Sequence, residues 1–255
     1  MPFWSVACTC ATVCIWAAPR TREKRPPTVR WPSGAIVSAV RTAFLAVVVG
    51  TVSWGWFAFS HIVLCSDDGK HCVRLEGAMR LTTFTRWCWM LQGVYYALAV
   101  VSAVWPGLSR TCAVLHEVSL TTALLVTGVT YGLLVPCALL LEQPAHRRGS
   151  IQLLLTPQGH IMHSANTLFM LVDTKLTGPA GRVWLSDARY GIAFGVTYSV
   201  FEWWFHHVTG LWHYPFMDYN QPFAELAYLA PFAVLLLCWM LAAAFTSERM
   251  VVAAR

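Results

Sequence analysis

Ala224-Glu-Leu-Ala-Tyr-Leu-Ala-Pro-Phe-Ala-Val-Leu-Leu-Leu-Cys-Trp-Met-Leu-Ala-Ala-Ala-Phe245 decides the fold of this chain. After Glu225 it carries no charge, and its length is close to the roughly 20 residues a helix needs to cross about 30 Å of hydrocarbon. Five more stretches of the same kind lie upstream: Arg41–Leu64, Phe84–Trp105, Cys112–Leu141, Ile151–Val172 and Tyr190–Val208. With 57% hydrophobic and only 12% charged residues over 255 positions, a water-soluble core cannot hide this much apolar surface. The expectation is an all-α, polytopic membrane protein, a bundle of six transmembrane helices.

Charge sets its orientation. Arg20, Arg22, Lys24, Arg25 and Arg30 face a lone Glu23, which keeps the N-terminus cytoplasmic, and six crossings return the C-terminus to the same side. Alternate loops agree, with Arg110, with Lys175, Arg182 and Arg189 against Asp187, and with Arg249 and Arg255 against Glu248. Only Arg147 and Arg148, beside Glu142, fall on the opposite side. The expected organisation is an apolar and basic extension over 1–35, a membrane domain over 36–246 and a short tail over 247–255. Met1–Ala18 is apolar but lacks the basic start of a signal peptide; a cleaved signal, a seventh span or an interfacial extension all fit it. The multi-pass chain is expected in the endoplasmic reticulum or the plasma membrane. Cys65 and Cys72 bracket one exoplasmic loop, where a disulfide is plausible. No CxxC pair supports a zinc site, and no metal, cofactor or nucleic-acid partner is expected.

Polar residues inside such spans are costly and face a bundle interior or a wet cleft. His160 and His163 are three apart, on one face of a helix, and Asn166 continues the row. Thr85 and Gln92, seven apart, share a face of the second span. His206 and His207 end the fifth span, with Trp212 and Tyr214 following at headgroup level, where such rings anchor. From the topology, threonines, histidines and aromatic rim share one leaflet. His163 lies roughly 13–18 Å along its helix with His160 if the helix starts at Ile151, or about 5–9 Å if it starts at Pro157. Blander readings stand beside these. Thr82, Thr83 or Thr85 could simply cap a helix, His163 could be an interhelical hydrogen-bond partner, His206 and His207 could be solvated, and Glu117 and Glu202 need partners of their own.

His206-His-Val-Thr-Gly-Leu-Trp-His-Tyr-Pro-Phe216 resembles the signature after the fifth helix of the androgen-induced and androgen-dependent TFPI-regulating proteins, and Gly159-His-Ile-Met-His163 resembles their histidine segment. The likeness runs over roughly residues 40–246. It implies a six-span membrane hydrolase of fatty acid esters of hydroxy fatty acids, using a threonine and a histidine. His163 matches the catalytic histidine, and an acidic residue, here Asp173, follows ten positions later. The family's threonine stands seven residues before a glutamine; counting back from Gln92 selects Thr85, while a looser match on Leu-Thr-Phe selects Thr83. Gly159 departs from the asparagine usual before the first histidine.

What the resemblance implies is a Thr85 hydroxyl activated by His163, with Gln92, His160, Asn166, His206, His207, Trp212 and Tyr214 binding or orienting the lipid ester. Asp173 lies about 15 Å along the helix from His163, too far to orient it; Asn166, His160 or His207 are the better candidates. No G-x-S-x-G elbow is present, so a hydrolase here is built on helices. Two other classes remain open: a His-rich membrane metalloenzyme using His160, His163, His206 and His207, and a non-enzymatic transporter or regulatory scaffold.

Overall fold

The computed structural model describes residues 31–57, 63–65, 72–140 and 154–253. Met1–Ala18, the basic stretch after it and the loop carrying Arg147 and Arg148 lie outside these residues. Within them the chain is all-α apart from one small hairpin. The helices are α1 (Ala35–Phe57), α2 (Phe84–Val101), α3 (Ser109–Val129), α4 (Val135–Leu140), α5 (Pro157–His160), α6 (Asn166–Thr177), α7 (Ala188–Thr209) and α8 (Ala224–Ala253). A π segment, Thr130–Leu134, joins α3 to α4, and a second, Ile161–Ala165, joins α5 to α6. Three rods are long and apolar enough to cross a membrane by length and composition: Ala35–Phe57, Pro106–Leu140 and Ala224–Ser247.

Two of the expected spans shift. The first does not run Arg41–Leu64: it begins six residues earlier, at Ala35 just past Pro32, while Leu64 lies in strand β1 (Val63–Cys65), paired with β2 (Cys72–Arg74). Proline favours helix starts, and β-branched residues such as Val63 and Val73 suit strands as well as helices, so the apolar run continued past the helix. The fourth span starts at Pro157 rather than Ile151, with Thr156 as its cap accepting from the Gly159 amide at 2.9 Å. In the hairpin Cys65 stands opposite Cys72, and Cys72 is disulfide-bonded.

The helices pack by narrow stripes. α1 fully buries only Arg41, Val48 and Gly55, spaced seven apart, while Phe44, Leu45 and Val52 beside them are half-buried against the core. Val48 sits where a Cβ on Gly93 of α2 would fall 2.9 Å from it, and Gly55 leaves room for the Arg86 guanidinium, 2.6 Å from a would-be Cβ. α3 is the hub, buried along nearly its whole length from Cys112 to Val126. α7 ends at Gly210, whose φ of 73° is the left-handed turn that reverses the chain over the last helical turn.

Polar groups pair between helices, as they must where no water competes. Arg41 donates to Asp173 at 2.7 Å, to Thr177 at 2.8 Å and to the Pro32 carbonyl at 2.7 Å. The Tyr95 hydroxyl donates to the other oxygen of Asp173. His116 bonds Thr174 at 3.0 Å. Glu117 accepts the Trp184 amide at 3.1 Å, and Trp239 donates to the Trp184 carbonyl at 3.1 Å, pinning the connection between α6 and α7.

Removing one member of the buried pair strands the other, at about 3–5 kcal/mol. Arg41→Met and Asp173→Leu are each expected to lower thermal stability in detergent by that order. The double variant should recover most of the loss, which a thermal-unfolding series of all four forms will show. Gly191→Ala drives a Cβ to 2.5 Å from the Trp239 ring, itself held by Trp184; a loss of about 1–3 kcal/mol is expected in the same assay.

Candidate functional site

An apolar cavity of about 250 Å³ lies between α2, α3, α7 and α8, roofed by the loop after α7. Its walls are mainly Leu, Val and Phe side chains; the hydroxyls of Thr85, Thr130, Tyr198, Ser199, Tyr214 and Tyr228 interrupt them. Thr85 reaches this wall because it is the second residue of α2, and helical spacing turns Phe84, Thr85 and Cys88 away from the face that meets α1. It lies beside Tyr214 there. Tyr214 is therefore a wall residue of the cavity, beside its roof neighbours Phe216 and Met217.

His163 occupies a different position. It sits in the π segment Ile161–Ala165, 8% exposed, and is not part of the cavity wall among the described residues. Its ring lies against the Leu154 carbonyl, with His160 and Arg86 nearby. Nδ1 is buried without a hydrogen-bond partner. The backbone carbonyl of His163 accepts from Thr127, whose hydroxyl also lies 2.7 Å from Thr167. None of Asn166, His160 and His207 hydrogen-bonds Nδ1.

The expected polar row splits. His163 and Asn166 are buried, whereas His160 is exposed and bonds the Tyr131 hydroxyl at 3.0 Å. The π turn holds about one residue more per turn than an α-helix, so positions three apart inside it no longer lie one above the other. One level deeper, Gln92 donates to the Asn166 carbonyl at 3.2 Å, joining α2 to α6, and its Oε1 has no partner. Asn166 Oδ1 accepts from the Thr167 amide at 2.5 Å. Asp173 is paired with Arg41 and takes no part in this neighbourhood.

His206 and His207 are apart from both. The His206 ring stacks on Trp212 at 4.0 Å and 7°, with Tyr219 edge-on at 5.8 Å. His207 is exposed, and both histidines line a second recess with Trp203, Trp204 and Tyr219. Among the described residues no group of three or more His, Cys, Asp or Glu converges on a metal position.

Sequence reasoning missed two features. Arg86, 6% exposed on α2, donates to the Thr51 carbonyl at 3.4 Å and sets a cation beside His163. Glu202, wholly buried in α7, finds its partner in His213: the carboxylate accepts the His213 amide at 2.7 Å and its Nδ1–H at 2.8 Å. The signal was present, since an intramembrane carboxylate demands a donor and a glycine turn at 210 brings the following residues back over the helix end.

The chain is similar to the human androgen-induced gene 1 protein, with 29% identity over 77 residues, which is 30% of this chain and 32% of that protein. The match thus spans about a third of the relative's length. No family model matches the chain, and no solved structure matches it. The likeness supports, at the level of distant similarity, the family named by the sequence motifs.

Proposed function

We propose that this chain is an integral-membrane hydrolase that cleaves ester bonds of lipids, fatty acid esters of hydroxy fatty acids among them. In this reading six rods cross the bilayer with both termini cytoplasmic, residues 36–246 form the membrane domain, and the protein works in the endoplasmic reticulum or the plasma membrane without a cofactor. The observation that carries it is Thr85 on the wall of a mainly apolar cavity bounded by four helices. Such a wall suits acyl chains, with a few hydroxyl-bearing residues to meet the ester. The distant likeness to the androgen-induced gene 1 protein and the His206–Phe216 motif point the same way.

Thr85 is the nucleophile and His163 the base. A threonine hydroxyl needs a base within reach, and the buried, unpartnered Nδ1 of His163 has a lone pair to offer. His163 Nδ1 holds no hydrogen bond at rest, and in this reading it engages the Thr85 hydroxyl when the ester binds, since catalytic hydrogen bonds commonly tighten only in the substrate complex. The hydroxyl attacks the ester carbonyl as its proton passes to His163, which returns it to the departing hydroxy fatty acid. Water then resolves the acyl-Thr85 ester. Arg86, beside His163, is suited to the negative charge of the tetrahedral oxygen or of the substrate's free carboxylate.

Purified protein in detergent is expected to hydrolyse a branched fatty ester. Thr85→Ala and His163→Ala are each expected to lose at least about a hundredfold in rate, with Thr83→Ala close to wild type. Full rate in Thr85→Ala together with loss in Thr83→Ala would move the nucleophile. Full rate in both Thr85→Ala and His163→Ala, with normal expression, would discard this mechanism.

A further inference from the structure

Behind the roof of the cavity lies a second imidazole with a different set of partners. Thr82 closes the 3-10 turn Gly77–Thr82 that leads into α2, and its hydroxyl oxygen is 2.7 Å from His213 Nε2. His213 Nδ1 is 2.8 Å from Glu202 Oε2, and the His213 amide donates to Glu202 Oε1 at 2.7 Å. The Tyr198 hydroxyl donates to Oε2 at 3.2 Å. The His213 and Glu202 side chains are 2% and 0% exposed, while Thr82 is partly exposed.

We propose that Thr82, His213 and Glu202 form an acyl-transfer centre for carboxylic esters presented at the membrane–water boundary, separate from the cavity site assigned above. The inference goes beyond that reading and does not use Thr85 or His163. Hydroxyl, imidazole and carboxylate in line, each within hydrogen-bond distance of the next, is the arrangement by which hydrolytic triads are recognised on unrelated folds, by geometry rather than by sequence position.

The proton positions follow from the donors available. A carboxylate already holding an amide and a phenol accepts from Nδ1–H, which fixes the tautomer and turns the Nε2 lone pair toward Thr82. The Thr82 hydroxyl has one proton and two acceptors in reach, Nε2 at 2.7 Å and the Met79 carbonyl at 2.5 Å. Given to Nε2, it leaves Oγ1 ready to attack. A strap holding the loop to α7 would need only the Glu202–amide bond; the ring aimed at a hydroxyl is what a strap does not require. Thr82 is absent from the cavity wall and precedes the first residue of α2, so the ester reaches it from the boundary and not from the hydrocarbon side. Thr83 gives the first-turn amides of α2 no side-chain cap, and these amides supply donors for the oxyanion.

In the reaction, Thr82 Oγ1 bonds to the ester carbonyl carbon while its proton moves to His213 Nε2. The tetrahedral intermediate expels the alcohol, which takes that proton. Water attacks acyl-Thr82, gives a proton to Nε2, and the acid leaves as Thr82 Oγ1 recovers it. Glu202 touches no reacting atom; it is a positioning residue.

The test is a fluorophosphonate probe on the full chain in detergent, with adduct positions mapped by peptide mass spectrometry. The hydroxyl displaces fluoride and its proton passes to His213, so labelling reads the nucleophile directly. The expected result is an adduct on Thr82, retained in Thr82→Ser and slowed at least tenfold in His213→Gln. Glu202→Gln, which removes the charge and leaves one oxygen to accept from both the His213 amide and Nδ1–H, should lower the maximal labelling rate at least tenfold with little change in the half-saturating probe concentration. An adduct on Thr85 alone overturns this centre and leaves the lipid hydrolase reading in place, whereas an adduct on Thr82 alone does the reverse. Wild-type protein with Thr82 unlabelled at saturating probe overturns the proposal even if a variant fails to fold, and so does labelling indifferent to His213→Gln.

Discussion

The ion pair between Arg41 and Asp173 is the contact on which the rest of the bundle depends. Both side chains are buried, so each charge survives because the other is 2.7 Å away and Thr177, the Pro32 carbonyl and Tyr95 add further hydrogen bonds to the pair. It joins the first described rod to a helix more than 130 residues later in the chain. A pair with this geometry admits one rotation of α1. That rotation decides which stripe of α1 faces inward, and the seven-residue spacing carries the choice up the rod from Arg41 through Val48 to Gly55.

At the far end of the same stripe the consequence reaches the candidate site. Gly55 makes room for Arg86, whose guanidinium meets the Thr51 carbonyl, and Gln158 at the start of α5 donates to the same carbonyl at 3.3 Å. Trp89 adds a bond of 2.7 Å to the Thr51 hydroxyl. Three elements, α1, α2 and α5, thus converge on Thr51, and His163 sits one turn beyond. The charge pair at one end of the bundle and the imidazole environment at the other are coupled through the register of a single helix.

Much of this was readable beforehand, for identifiable reasons. Apolar length pointed to the three rods Ala35–Phe57, Pro106–Leu140 and Ala224–Ser247, because hydropathy and helix length are linked by the thickness of hydrocarbon. Ends were less legible: hydropathy does not distinguish an apolar hairpin strand such as Val63–Cys65 from the last turns of a helix, and only the proline at 157 marked where the fourth rod begins. The threonine on the second rod was selected by counting from Gln92; Thr85 lines a cavity, whereas Gln92 turns to the Asn166 carbonyl. The row of His160, His163 and Asn166 was drawn on an α-helical wheel, which the π turn at Ile161–Ala165 invalidates. No residue preference announces a π turn as Gly or Pro announces other breaks. His213 escaped because its partner Glu202 is eleven residues away across a chain reversal, a distance no helical or strand period connects.

The two imidazoles differ in how fully their hydrogen bonds are spent, and this bears on what each can do. His213 is satisfied on both ring nitrogens, and its carboxylate neighbour on both oxygens, so that network is rigid and costs little to bury. His163 keeps a bare Nδ1 in an interior where an unmet polar atom costs about 1–3 kcal/mol. An arrangement that stores such a cost resting, and recovers it when a hydroxyl or an ester-bound water arrives, binds its reacting partner more strongly than its empty state. That difference is the physical content of a site prepared for a substrate.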